Sequence, residues 1–172
     1  MLDGSNIWYN QDVRKIALYL DTSVISFAVS EDIPDNDRNI TLKLIEEINK
    51  GRYEGFISDV VIRELGNTRD AVKRRKLLEL VDNMELNEVL AVDEEIDRVA
   101  DKYIEEGIIP AVYRDDALHI AITSVKGLDI LVSWNFKHLV KHKTRIEVAG
   151  VNTLLGYKAI DICTPWEVIE DA

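Results

Sequence analysis

The chain has 172 residues, 47% of them hydrophobic, with three prolines and a formal net charge of −11. That length suffices for one domain burying roughly 70% of the surface an unfolded chain exposes, and the apolar content excludes a disordered polymer. No apolar run approaches the roughly 18 residues of a membrane span, the start MLDGSNIWYNQDVRK lacks a signal-peptide core, and one cysteine, Cys163, allows no internal disulfide, so the expectation is a cytoplasmic protein.

Residues 1–15 read as a polar extension and 16–172 as a single domain. The run Ile16 to Leu20, IALYL, is apolar over strand length, as expected of a strand buried on both faces of a parallel sheet. It stops at Asp21, and Val24, Ile25, Phe27 and Ala28 predict a helix that fades before Pro34. From Arg38 to Lys50 the residues Ile40, Leu44, Ile45 and Ile48 share one helical face, which Gly51 closes. Glu54 to Ser58 predicts a second strand, and Ser58 or Asp59 can cap a helix that starts at Val60 and carries Glu64. A charged helix over Thr68 to Asp82, a weak strand over Leu86 to Val92 and a helix over Asp93 to Glu106 follow.

The stretch from Tyr113 to Leu139, YRDDALHIAITSVKGLDILVSWNFKHL, is the richest in chemistry. Asp115 and Asp116 open an amphipathic helix running to about Val125. Carboxylates are favoured at a helix start, where backbone N–H groups lack partners, but one carboxylate suffices as a cap. The second needs another role. A strand over Asp129 to Ser133 comes next, then the polar Asn135, a short turn over Phe136 to Lys141, a helix over Ile146 to Leu155 and a strand over Ala159 to Cys163. This alternation predicts an α/β domain, a central and mainly parallel sheet of about five strands with helices on both faces.

In such sheets ligands bind beyond the carboxyl ends of the strands, where strand order reverses. Asp21 ends the first strand, Ser133 and Asn135 end the fourth, Asp116 opens the helix before it, and Glu64 lies within two turns of the second. All can converge at one end of the sheet. Gathered carboxylates repel one another unless a cation neutralises them, and an all-oxygen donor set suits Mg²⁺ or Mn²⁺ rather than zinc. Such ions serve phosphoryl chemistry, so the implied reaction is phosphodiester hydrolysis. Each residue also has a plainer reading: Asp21 and Asp116 as helix caps, Glu64 as a surface helix residue, His119 as a packed, hydrogen-bonded histidine and Trp134 as core.

The acidic balance opposes non-specific attraction to nucleic acid. Positive charge is nonetheless concentrated in Arg69, Lys73, Arg74, Arg75 and Lys76, and in Lys137, His138, Lys141, His142, Lys143 and Arg145. Either cluster can be a solvated helix face. The second follows the polar cluster directly and is the better candidate for touching phosphates.

The segments LYLDTSVISF, FISDVVIREL, DDALHIA, ILVSWNFKHL and DICTPWEV resemble, in order, the successive motifs of the PIN domain, and by length the chain is most similar to the VapC-type toxins of toxin–antitoxin systems. The resemblance implies a PIN-like α/β/α sandwich and a Mg²⁺- or Mn²⁺-dependent ribonuclease acting on RNA. It implies Asp21, Glu64 and Asp116 as acidic metal-site residues and Thr22 or Ser23 as a hydroxyl orienting a ligand or water. Where many members have a fourth acid, this chain has Asn135, which can donate a ligand oxygen or hold a water. Ser133 and Asp115 would support the site, with Asp115 partly compensating for Asn135 or pairing with Arg114. Arg114, Lys137, His138 and Lys141 would contact RNA. A small antitoxin partner and a homodimer are implied by the toxin resemblance alone.

The second reading is a non-catalytic PIN module that binds RNA or a protein. Phosphotransfer folds fit less well. A phosphorelay receiver needs an acidic pair at the first strand, where Asp21 stands alone, and a haloacid-dehalogenase phosphatase needs an Asp where Ser23 stands.

Overall fold

The computed structural model describes residues 14–170. The polar extension read over 1–15 lies outside them except for Arg14 and Lys15. In chain order the elements are β1 (Ala17–Leu20), α1 (Thr22–Val29), α2 (Asp35–Asn49), β2 (Glu54–Ser58), α3 (Asp59–Gly66), α4 (Ala71–Asp82), β3 (Glu88–Leu90) and α5 (Glu94–Glu105). A 3₁₀ turn (Ala111–Tyr113), α6 (Arg114–Val125), β4 (Ile130–Val132), α7 (His142–Leu155), β5 (Asp161–Cys163) and α8 (Pro165–Glu170) complete them.

Five parallel strands form one sheet in the order β3-β2-β1-β4-β5. All four residues of β1 are buried, as its unbroken apolar run requires of a central strand covered on both faces. The chain grows outward through β2 and β3 on one side of β1, then crosses to build β4 and β5 on the other. The reversal falls between β1 and β4. There Leu20 pairs with Val132, so Asp21 and Ser133 emerge side by side at the carboxyl ends of adjacent strands.

Helix α6 is not amphipathic as expected. Every residue from Ala117 to Ser124 is buried, because α5 packs along it and the sheet lies behind. Neither Asp115 nor Asp116 caps it; Tyr113 occupies the cap position and makes no side-chain cap bond. Ser58 holds the cap position of α3 without a side-chain bond, its hydroxyl being taken by Tyr19. Helix α4 starts at Ala71 rather than Thr68, because Asp70 accepts from the backbone N–H groups of Val72 and Lys73 and fixes the start. Helix α7 starts at His142, four residues before the expected Ile146. Its basic first turn opposes the helix dipole, and tertiary bonds compensate: Thr144 donates to the His138 carbonyl and Arg145 pairs with Glu167.

Sequence reading missed α8, although Thr164-Pro165-Trp166-Glu167 is a capping box with proline at the first helical position. Glu167 accepts from the backbone N–H and hydroxyl of Thr164 at 2.7 and 3.0 Å, and Thr164 Oγ1 accepts in return from the Glu167 N–H. Trp166 donates to Asp37 of α2, tying the helix to the opposite end of the chain. Burial pushes the Glu167 carboxyl up, but its bonds to Arg145 and Thr164 outweigh that and hold it below the usual range. A depressed carboxylate stabilises the fold above its unfolded pKa and loses that contribution as pH falls through the folded one. Glu167→Ala should cost about 1–2 kcal/mol at neutral pH, and the gap from wild type should close in acid; thermal denaturation at several pH values checks both.

Candidate active site

Four side chains make the floor of the site. Asp21, 3% exposed, caps α1. Its Oδ1 accepts from the Ser23 N–H at 2.9 Å and the Ser23 hydroxyl at 2.5 Å, while Oδ2 accepts from Ser133 Oγ at 2.5 Å. Ser133 Oγ also accepts from the Asn135 N–H, and Ser23 Oγ from the Trp134 N–H. The ends of β1 and β4 are thereby laced together through one carboxylate and two hydroxyls. Asp21 thus does cap a helix, but its second oxygen is held by the neighbouring strand, which a cap does not require.

Glu64 is half-buried on α3. Its Oε2 accepts from the Thr22 hydroxyl and lies 3.0 Å from His119 Nε2. His119, 2% exposed, meets Tyr19 OH at 2.8 Å through Nδ1, and that hydroxyl meets Ser58 Oγ at 2.7 Å. Burial disfavours the imidazolium, but the Glu64 hydrogen bond and the charges of Asp21, Glu64 and Asp116 outweigh it and raise the His119 pKa. Burial pushes Tyr19 well above the ordinary phenol, so its hydroxyl keeps its proton. A consistent pattern has His119 donating from both nitrogens, to Glu64 and to Tyr19, while Tyr19 donates to Ser58. His119 is therefore a packed histidine, as expected, and also the residue that fixes the Glu64 carboxylate. Tyr19 went unnoticed in the sequence because it stands inside an apolar strand with no polar neighbour.

Asp116, at the start of α6, accepts from Asn135 Nδ2 at 3.1 Å. Asn135 Oδ1 is occupied by the His138 N–H at 3.0 Å, so the amide turns a donor, not an oxygen, toward Asp116. In this arrangement Asn135 orients the neighbouring carboxylate. Burial first, and then the charges of Asp21 and Glu64 against the opposing effects of His119 and Asn135, push the Asp116 carboxyl up to about 6. Burial likewise raises Asp21.

Glu64 and Asp116 line an open cavity of about 320 Å³ with Val112, Tyr113, Arg114 and Asp115. At its rim Asp115 pairs with Arg63 at 2.6 Å, not with Arg114 as expected. Arg114 reaches Asp97 and Asp101 on α5, at 3.1 and 2.8 Å, which anchors α6 to α5. Lys137 donates to Tyr113 OH at 3.0 Å, and His138 packs on the Tyr113 ring with centroids 4.0 Å apart. Lys141 is exposed at the start of α7. Trp134 is buried, stacked on Phe27 and donating to Thr41, so it is core.

Among the described residues, no three Asp, Glu, His or Cys side chains stand together as a ready cage for an ion. The donor chemistry nevertheless fits a hard divalent cation. Asp21, Glu64 and Asp116 are oxygen donors; burial raises the Asp116 pKa most, the charges of Asp21 and Glu64 add to the rise, and such repulsion is what a bound cation relieves.

The fold is a parallel α/β/α sandwich with acidic side chains at its switch point, and the family can be named. The model of the PIN domain family matches residues 18–135, and the chain belongs to that family. No curated protein matches the chain. Among solved structures, a chain of VapBC2 from Rickettsia felis, bound to a DNA fragment from their promoter, is similar at 14% identity and a TM-score of 0.56, over 87% of this chain and 98% of that one. Mycobacterium tuberculosis VapC20, a Sarcin-Ricin loop cleaving toxin, is similar at 14% identity and a TM-score of 0.52, over 83% of this chain and 98% of that one. At this identity the likeness establishes the fold alone. No helix among the described residues is long and apolar enough to cross a membrane.

Proposed function

We propose that the protein is a divalent-metal-dependent endoribonuclease of the VapC kind, the cytoplasmic toxin of a toxin–antitoxin pair. The observation that carries this reading is that the charges of Asp21, Glu64 and Asp116 all act on one buried histidine, His119, in a PIN domain, with Glu64 and Asp116 lining an open cavity. Its structural neighbours include a VapBC complex and an RNA-cleaving VapC, which supports an RNA substrate and an antitoxin partner; a homodimer is part of the same proposal.

Asp21, Glu64 and Asp116 would hold Mg²⁺ or Mn²⁺, which when bound polarises the phosphate and acidifies an attacking water. The protein's own contribution is orientation. Ser23 and Ser133 fix Asp21, Thr22 and His119 fix Glu64, and the Asn135 amide fixes Asp116. A carboxylate locked by such partners loses little freedom on binding a ligand. Lys137, His138 and Lys141, with Arg114 at the cavity, are proposed to meet the RNA backbone; the lysines and arginine supply locally the positive charge that the chain lacks overall, while burial and the adjacent lysines favour the neutral form of His138.

A second reading, a PIN module that binds RNA or protein without cutting, is favoured by Asn135 in place of an acid. Incubation of a sequence-randomised RNA pool with the protein and Mn²⁺ separates the two. Cleavage that chelation stops, and that Glu64→Gln lowers by more than about 100-fold, is the expected result. RNA retained intact but bound would favour the second reading.

A further inference from the structure

The aromatic side chains around the cavity are not explained by metal chemistry. Tyr113 lines the same cavity as Glu64 and Asp116, three residues before Asp116, and is 38% exposed. An exposed tyrosine of no function is free to lie anywhere, yet this one is built in. His138 backs its ring at 4.0 Å between centroids and 34° between planes, and Lys137 Nζ binds its hydroxyl while standing 4.9 Å from the ring centre. The support comes from the turn after β4, which is itself fixed by Asn135: the His138 N–H donates to the side chain that orients Asp116. The ring is therefore positioned by the same residue as a carboxylate of the site. Next to it Val112 is 84% exposed, and the adjoining chain carries the cations Lys137, Lys141 and Lys143.

A partly exposed aromatic ring with Lys137 against it has the two elements that single-stranded nucleic acid engages, a surface for a base and charge for the backbone. A basic surface without the ring would suit any polyanion, and a ring without the lysines any apolar side chain. Duplex RNA is excluded as the occupant, because its bases are already stacked on one another and offer no free face. We propose that Tyr113, backed by His138, is the platform on which an unpaired nucleobase of the substrate stacks, with Lys137 contacting an adjacent phosphate. The assignment rests on the ribonuclease reading and narrows its substrate to single-stranded RNA or an unpaired loop. Tyr113 is a binding residue, acting on where the strand lies relative to the carboxylates.

The test measures binding, not turnover. In the Asp116→Asn protein, affinity for a short single-stranded RNA pool of randomised sequence is measured over a range of salt concentrations. Tyr113→Ala should weaken it by about tenfold, the loss expected for one stacked base, while leaving the slope of log K against log salt unchanged. Tyr113→Phe should bind as the parent does. Lys137→Ala should reduce that slope by about 0.7, the loss of one phosphate contact on a single strand. Circular dichroism confirms that each variant folds. If Tyr113→Ala binds as tightly as the parent, or duplex RNA of the same length binds as well as single strands, the platform is overturned while RNA binding stands, and the surface is left to a protein partner. If the parent binds no RNA, the ribonuclease reading falls and the platform with it.

Discussion

Asp116→Asn should abolish RNA cleavage, by more than about 100-fold, in a protein that is at least as stable as the wild type at neutral pH. The two effects have one cause. Asp116 is held in a partly buried position beside two other carboxylates, and its pKa is pushed up to about 6 from the ordinary aspartate range near 3.9. Between those values the folded protein binds more protons at this group than the unfolded chain does, so its contribution to stability falls as pH rises through that window and is flat above it. Asparagine keeps the oxygen that accepts from Asn135 but carries no charge. The difference in melting temperature, variant minus wild type, should therefore grow in the variant's favour from about pH 4 to pH 6 and then level. Function at the expense of stability is a common trade in active sites, and a variant that loses activity by unfolding would melt below the wild type at neutral pH. Full cleavage by Asp116→Asn would remove this residue from the site.

Asn152→Ala, outside the site, should be strongly destabilising, at about 2–4 kcal/mol, lowering the melting temperature by roughly 5–15 °C. Asn152 on α7 is fully buried and ties three helices together. Its Oδ1 accepts from Tyr103 OH of α5 at 2.5 Å, and its Nδ2 donates to Ser124 Oγ of α6 at 2.9 Å. Burial pushes the Tyr103 hydroxyl up to about 12, so it remains a donor throughout the accessible pH range. Truncation to alanine opens a cavity and breaks two buried hydrogen bonds at once, leaving Tyr103 OH only Ser124 Oγ and Ser124 Oγ only the Ile120 carbonyl to donate to. Since the cluster shares no hydrogen bond with Asp21, Glu64 or Asp116, metal binding by the folded variant should match wild type. Unchanged melting would mean that the three helices are held by apolar packing alone.

What the sequence disclosed follows the range of the forces involved. The β1 run and the helix-ending glycine at Gly51 are local signals, and they placed the central strand and the end of α2 correctly. Asp21 was legible because it follows β1 directly, and Glu64 within α3 and Asp116 at the start of α6 because they fall in the ordered motifs. Partners were not. Asp115 pairs with Arg63, 52 positions away, instead of adjacent Arg114, and His119 finds Tyr19 and Glu64 on two other elements. Nothing in local spacing encodes such pairings. Asn135 shows the same limit from the other side: its identity was plain, but which end of the amide faces Asp116 is decided by the His138 N–H, which only the folded turn supplies. The early start of α7 was hidden because Lys141, His142 and Lys143 carry no apolar period, and their helix is held by Thr144 and Arg145 through contacts made elsewhere. The capping box of α8, by contrast, was readable and passed over.

The account depends most on the three carboxylates forming one cation site. Calorimetric titration of Mn²⁺ into the wild type and into Asp116→Asn, with circular dichroism on both, tests it directly and needs no knowledge of the RNA. Binding in the wild type at a single class of site, lost in the folded variant, is the result this account predicts. A folded wild type that binds no Mn²⁺, or a variant that binds it equally well, would contradict it.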